Sequence, residues 1–347
     1  MKFTGAVLVN INKPLQFIEN IEIPKLKVGQ LLVKVNYAGI CHSQLMEQSG
    51  QRGEDKYLPH LLGHEGTGEV VDFGAGVNKL TCGDKVVLGW LKGGGLDAGG
   101  TVYDSPIGKI NSGAVTTFSQ LTVVSENRCY KLPSNISMQE GVLLGCALPT
   151  GMGIITNQIK PNKNTSIGIV GLGGIGMSAL IGANCHKCDL IVAIDTNDEK
   201  LRKAQGLGAT HCINPLKQDV MSEVAKITKG KMLDYAVEAA GSCKTIENAF
   251  SLINYKTGHC IFASHPPAGQ KIKLDPFELI CGKKITGSWG GCSHPEQMNS
   301  FVSENKSKIN FETFMPDLYS FENINQGMDY LAEQKILRAV LQMDNSI

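Results

Sequence analysis

The six residues Gly171-Leu172-Gly173-Gly174-Ile175-Gly176 restrict the fold of this chain more than any other segment. A glycine pattern of this kind is weak alone, but here its surroundings match. Ser166-Ile167-Gly168-Ile169-Val170, just before it, is a continuous apolar run, as expected of a strand covered on both faces. A helical pattern opens at Ile175. A second apolar run, Leu190-Ile191-Val192-Ala193-Ile194, then ends in Asp195, 19 positions beyond Gly176. This order suits a dinucleotide: the glycines admit a pyrophosphate to the helix N-terminus, and the acid accepts from ribose hydroxyls. Gly171, Gly173, Gly174, Ile175 and Gly176 are therefore candidate cofactor residues, with Asp195 on the ribose. A carboxylate there repels a 2′-phosphate, so NAD(H) is expected over NADP(H). Lys200, one turn into the next helix, reaches toward the same ribose edge.

Strand–helix alternation continues through Leu233–Glu238, Gly258–Ala263 and Lys284–Ser288, which predicts a doubly wound parallel α/β domain over residues 149–288. The first third reads differently. Val7–Val9, Leu31–Val35 and Glu69–Val71 are short strand candidates between glycine, proline and asparagine, so residues 1–148 are expected to form a β-rich domain. The glycine-dense stretch from Gly83 to Gly113 is expected to be a long irregular lobe. Residues 289–347 hold a helix candidate from Pro295 to Glu304 and a last strand, Leu337–Leu341, expected to return to the first domain. At 347 residues, two domains are the natural division.

The formal net charge of +1 gives no electrostatic case for nucleic acid. No stretch approaches the roughly 20 apolar residues of a membrane span. The N-terminus lacks the apolar core of a signal peptide, so a cytoplasmic location is expected, with the eleven cysteines reduced.

Three cysteine and histidine positions stand out against this frame. Cys41 lies in Gly39-Ile40-Cys41-His42-Ser43, His64 in Gly63-His64-Glu65, and Cys146 in Gly145-Cys146-Ala147-Leu148-Pro149-Thr150. Two thiolates and an imidazole suit zinc, and three protein ligands leave a fourth position open, as in catalytic sites. Beside a nicotinamide, an open zinc is chemistry for moving hydride.

Together these segments resemble the zinc-dependent medium-chain alcohol dehydrogenase family. The resemblance spans essentially the whole chain and extends to Gly83-Asp84-Lys85-Val86, Gly208-Ala209-Thr210 and Gly290-Gly291. It implies a GroES-like catalytic domain with a Rossmann NAD-binding domain, and an enzyme interconverting an alcohol and a carbonyl. It implies that Cys41, His64 and Cys146 bind the metal, with Glu65 behind it. Ser43 would accept the substrate proton, and His42, Thr150 and Arg338 would contact the cofactor, Arg338 through a phosphate. Trp90, Phe118 and Leu148 would line the substrate pocket. The family also implies a homodimer, with a tetramer second, formed by a strand near Gly258–Gly291 pairing across a two-fold axis.

Several departures narrow the reading. Many relatives carry a second, structural zinc on four closely spaced cysteines; here Leu91–Ser112 contains none, so one zinc per chain is expected. Cys185-His186-Lys187-Cys188 is the one C-x-x-C, and without a second pair it carries no metal expectation. Met46 replaces a histidine that relays protons in several relatives, so proton release is expected from Ser43 through ribose and water. Gln44 stands where an aspartate often orients the zinc-bound imidazole. The aromatic pocket fits an apolar alcohol, whereas Lys92, Asp97, Lys109 and Asn111 in the glycine-rich lobe fit a polyol, sugar phosphate or sugar nucleotide. Cys146 leans toward the alcohol type, since polyol relatives often carry glutamate there. A catalytically silent NAD-binding protein is the remaining alternative.

Overall fold

A computed structural model describes residues 1–315 and 318–343; the remainder of the expected return segment, 316–317 and 344–347, lies outside the described residues. Eighteen strands occur among the described residues. The first ten are β1 (Lys2–Leu8), β2 (Gln16–Glu22), β3 (Gln30–Ile40), β4 (His60–Leu61), β5 (Glu65–Phe73), β6 (Lys85–Gly89), β7 (Val102–Ser105), β8 (Gly108–Asn111), β9 (Leu121–Ser125) and β10 (Cys129–Lys131). Then come β11 (Ser166–Val170), β12 (Leu190–Ile194), β13 (His211–Ile213), β14 (Tyr235–Glu238), β15 (His259–Phe262) and β16 (Lys284–Gly287). The last two are β17 (Leu318–Ser320) and β18 (Ala339–Gln342). The chain packs as two compact units, one of Met1–Cys146, His294–Glu304 and Phe311–Ile347, the other of Ala147–Ser293 and Asn305–Asn310.

The first unit is β-rich. Strands β1-β2-β7-β8-β4 close a small barrel, and a second sheet runs β10-β6-β5-β3-β18-β17, with β9 also paired to β3. Strand β18 pairs antiparallel with β3, setting Ala339 opposite Ile40. Leu31, Val33, Val35, Val86, Leu88 and Leu341, from alternate or central strand positions, fill the core beneath this sheet.

The glycine-rich stretch departs from the expected irregular lobe, because residues 102–111 form an antiparallel hairpin that helps close the barrel. Each of its strands contributes one residue to the barrel core, Tyr103 from β7 and Ile110 from β8, both fully buried. The Tyr103 hydroxyl accepts from the Val123 amide at 2.8 Å, so a buried polar atom is satisfied. Residues 91–98 lack regular structure but are pinned by two carboxylates. Glu126, 1% exposed, accepts from the amides of Asn78, Lys79 and Leu96 at 3.0, 3.1 and 2.7 Å. Glu296 accepts from the Gly94 amide at 3.0 Å and from Lys79 Nζ at 2.8 Å. Burial opposes ionisation of Glu126, but the three amides outweigh it and hold the carboxyl below its usual range. Amide bonds to an ionised acceptor are stronger than neutral ones, so one buried carboxylate orders a segment that no sheet or helix supports.

The second unit is a parallel sheet in the order β13-β12-β11-β14-β15-β16. Ile167 and Ile169 of β11 lie beside Ile191 and Ala193 of β12, in register along five residue pairs. All four are essentially buried, which explains why these strands read as unbroken apolar runs. The order reverses between β11 and β14, and ligands of such sheets bind at the carboxyl ends of the strands at that point. Among the described residues no single helix is long and apolar enough to cross a membrane.

Candidate active site

The metal-ligand candidates all belong to the first unit. Cys41 follows β3 and caps the helix His42–Gln48, His64 immediately precedes β5, and Cys146 follows the 3-10 turn Val142–Gly145. The pairing of β3 with β5 brings the first two together, setting Ala38 opposite Gly66. One ligand atom from each of Cys41, His64 and Cys146 lies within 4.8 Å of the other two. His64 Nε2 is buried without a hydrogen-bond partner, while Nδ1 faces Gln44 Nε2 at 2.6 Å. An orphaned imidazole nitrogen beside two thiols is the chemistry of a soft-metal site, so the residues present fit zinc.

Their electrostatics agree. A hydrogen bond from Cys146 pulls the Cys41 thiol well below its usual range, helped by the Arg338 and His64 charges. The same bond, with burial, pushes Cys146 well up. The two shifts are opposite in sign, with Cys41 the more acidic thiol of the pair. Burial alone would lower the His64 pKa, but the neighbouring Cys41 and the Glu65 charge turn the net shift upward.

Glu65 lies next to this cluster and is completely buried. Burial pushes its carboxyl up to about 7, with Arg338 opposing. Arg338 Nη1 stands 3.0 Å from Glu65 Oε1, and the arginine is itself 3% exposed. Nη1 also donates to the Ile40 carbonyl at 3.4 Å, while Nε of the same guanidinium has no hydrogen-bond partner. Ser43 is partly buried, with Oγ 3.5 Å from His64 Nδ1, whereas His42 is exposed. Met46 is buried and carries no proton.

The pocket residues fare differently. Phe118 is completely buried within the core of the first unit, and Leu148 completely buried in the helix Ala147–Gly153. Both side chains pack in the interior. Trp90 is half-buried against the same core as Phe118. The polar residues of the glycine-rich stretch are engaged with nearby groups: Lys92 with Asp97 and Lys109 with Asp104, each at 2.6 Å, and Asn111 Nδ2 with the Tyr57 carbonyl at 2.7 Å.

In the second unit the glycine loop has the shape a dinucleotide needs. Gly171 has φ +89°, a side chain on Gly176 would strike the Gly171 carbonyl at 1.8 Å, and a side chain on Gly173 would meet nothing within 4 Å. The turn, the close helix approach and the open face are thus divided among three glycines. Gly174, Ile175 and Gly176 begin the helix Gly174–Cys185. Asp195 sits just past β12, its Oδ2 accepting from the Leu172 amide at 2.7 Å, which ties the acid to the loop. Lys200 lies on the following helix, partly buried. Thr150 is buried, and its Oγ1 has no hydrogen-bond partner, a donor free for a ligand. Burial pushes up both thiols of Cys185 and Cys188, as for unreactive packing cysteines.

Comparison with known proteins matches this geometry. Residues 27–134 match the alcohol dehydrogenase GroES-like domain, and residues 174–304 the zinc-binding dehydrogenase domain. S-(hydroxymethyl)glutathione dehydrogenases of Synechocystis sp. and Escherichia coli O1:K1 are each 31% identical, over 98% of this chain and 100% of theirs. An alcohol dehydrogenase zinc-binding domain protein from Burkholderia ambifaria superposes with a TM-score of 0.91 at 27% identity, over 99% of this chain and 100% of that one. Benzyl alcohol dehydrogenase from Acinetobacter calcoaceticus, at 24% identity with a TM-score of 0.89 and the same coverage, shares the fold. With two domain matches and full-length relatives, the chain belongs to the zinc-dependent medium-chain alcohol dehydrogenase family, with a GroES-like domain and a Rossmann domain.

Proposed function

We propose that this enzyme interconverts a small, uncharged alcohol and its carbonyl with NAD(H), using one zinc ion per chain held by Cys41, His64 and Cys146. The observation that carries the reading is the meeting of these three side chains within 4.8 Å, with His64 Nε2 buried and unpartnered. Bound there, zinc supplies the Lewis acidity that favours the deprotonated alcohol. Ser43, beside His64, accepts the substrate hydroxyl proton and passes it on toward solvent, with Met46 taking no part. Glu65 adds a buried negative charge near the cluster, and Arg338 balances it. The glycine loop from Gly171 to Gly176 takes the pyrophosphate, with His42 and Thr150 as further cofactor contacts, and Asp195 and Lys200 take the ribose.

The charges favour an uncharged substrate over a sugar phosphate. Lys92 and Lys109 each pair with a nearby aspartate, and Arg338 pairs with the buried Glu65. A panel of primary alcohols including benzyl alcohol, with polyols, sugar phosphates and S-(hydroxymethyl)glutathione, tests this by NADH formation. The highest kcat/KM is expected for an uncharged primary alcohol; a sugar phosphate in that place overturns the reading.

Cofactor choice rests on Asp195. Asp195→Ser removes the charge that repels a 2′-phosphate, and the NAD-over-NADP preference in kcat/KM is expected to fall about tenfold or more, equivalent to ~1.4 kcal/mol. An unchanged preference would take the discrimination away from this residue.

A homodimer is part of the same proposal. Strand β16 is an edge of the parallel sheet with mostly exposed side chains, and the neighbouring helix Pro276–Ile280 exposes Phe277 at 59% and Ile280 at 80%. An unpaired edge beside large exposed apolar side chains is a surface for a second copy, with a tetramer as the second choice. Ile280→Glu is expected to shift gel filtration toward the monomer at micromolar concentration.

A further inference from the structure

Gln44 is the third residue of the helix His42–Gln48 and is 2% exposed. Both ends of its amide are engaged. Oε1 accepts from the backbone N–H of Cys41 at 2.9 Å, and Nε2 lies 2.6 Å from His64 Nδ1. The Cys41 amide can only donate, so it fixes which end of the side chain is oxygen and presents the NH2 end to the imidazole. Ser43 Oγ, at 3.5 Å, is too distant to be the main partner of Nδ1.

That orientation has a chemical consequence. An NH2 group donates, so Nδ1 must accept, and in the neutral ring the proton then sits on Nε2. Nε2 is the nitrogen left without a protein partner beside the two thiols, and it can hold a metal only with its lone pair free. The proton must then move to Nδ1, which needs an acceptor. The only acceptor that Gln44 has is the oxygen now facing Cys41.

We infer that Gln44 is a positioning residue whose amide turns over when zinc binds, exchanging a bond to the Cys41 amide for one to His64 Nδ1–H. The turn leaves two donors, the Cys41 N–H and the Gln44 NH2, facing each other. A carboxylate of the same length would accept from the Cys41 N–H and the His64 Nδ1–H at once and need no turn. The glutamine therefore loosens the hold on the metal. This inference rests on the assignment of Cys41, His64 and Cys146 as zinc ligands.

The test follows zinc release from the full-length holoenzyme into 4-(2-pyridylazo)resorcinol by absorbance. Outer partners of metal ligands typically change metal affinity ~10–100-fold. Gln44→Glu is expected to slow release by about that range and Gln44→Met to speed it. A merely structural role predicts the same sign for both variants, because both disturb one packed site. A release rate for Gln44→Glu equal to or faster than wild type overturns the inference. Should Gln44→Glu fail to fold, 15N spectra of the wild-type chain decide. In mildly alkaline buffer the His64 proton is expected on Nε2 without zinc and on Nδ1 with it; a proton on Nδ1 in both states overturns the inference. Cys41→Ser separates the two readings. A Cys41→Ser chain that retains full zinc overturns the ligand assignment itself, whereas a zinc-poor Cys41→Ser with unaltered release from the Gln44 variants overturns the role of Gln44 alone.

Discussion

Serine in place of Cys146 is expected to empty the metal site and reduce kcat/KM by at least about a thousandfold, roughly 4 kcal/mol of barrier. Cys146 is buried, and its bond to Cys41 together with burial pushes its thiol well up. A metal held by both cysteines gains a second thiolate, a soft donor that a hydroxyl cannot replace. The loss should be visible twice, as zinc per chain and as turnover, with the two falling together. Wild-type zinc content in Cys146→Ser would remove Cys146 from the ligand set. Full zinc with lost turnover would instead assign it a role after metal binding.

The second large effect concerns stability. Arg338→Leu is expected to cost about 3–5 kcal/mol, the penalty for leaving a buried charge unpaired. That is a substantial part of the ~5–15 kcal/mol by which a native protein exceeds its unfolded state. Glu65 is already pushed up to about 7 by burial, with Arg338 holding it down, so removing the cation drives the carboxyl further toward its neutral form. The double replacement Glu65→Gln with Arg338→Leu removes the charge and should recover much of the loss. Urea midpoints for the single and double variants measure this directly. An unchanged midpoint in Arg338→Leu would show that the ion pair contributes nothing net.

Legibility in the sequence followed the range of the forces involved. Ser166–Val170 and Leu190–Ile194 were readable as strands because burial on both faces leaves a local mark, an unbroken apolar run. Cys41, His64 and Cys146 were readable by their chemistry together with the resemblance that joins distant segments. The hairpin at residues 102–111 was not, because each strand is four residues long and buries only one large side chain fully, too little periodicity to see. Phe118 illustrates a different limit: an aromatic side chain reads the same whether it faces a ligand or a core, and only its neighbours separate the two. The pairing of Arg338 with Glu65 depends on β18 docking beside β3, a contact between opposite ends of the chain that leaves no local trace.

The carboxylate-pinned stretch at residues 91–98 has a consequence for how the enzyme fails. Its anchors, Glu126 and Glu296, hold backbone amides, and no cysteine lies between Leu91 and Ser112. Oxidants and chelators attack thiolates and metals, and neither has a target there. Stripping of a metal acts at the Cys41, His64 and Cys146 cluster and leaves these carboxylate anchors in place. Inactivation by metal stripping should therefore precede unfolding, and resupplied zinc should bring back activity without refolding. A lobe held by carboxylates outlasts the centre that does the chemistry.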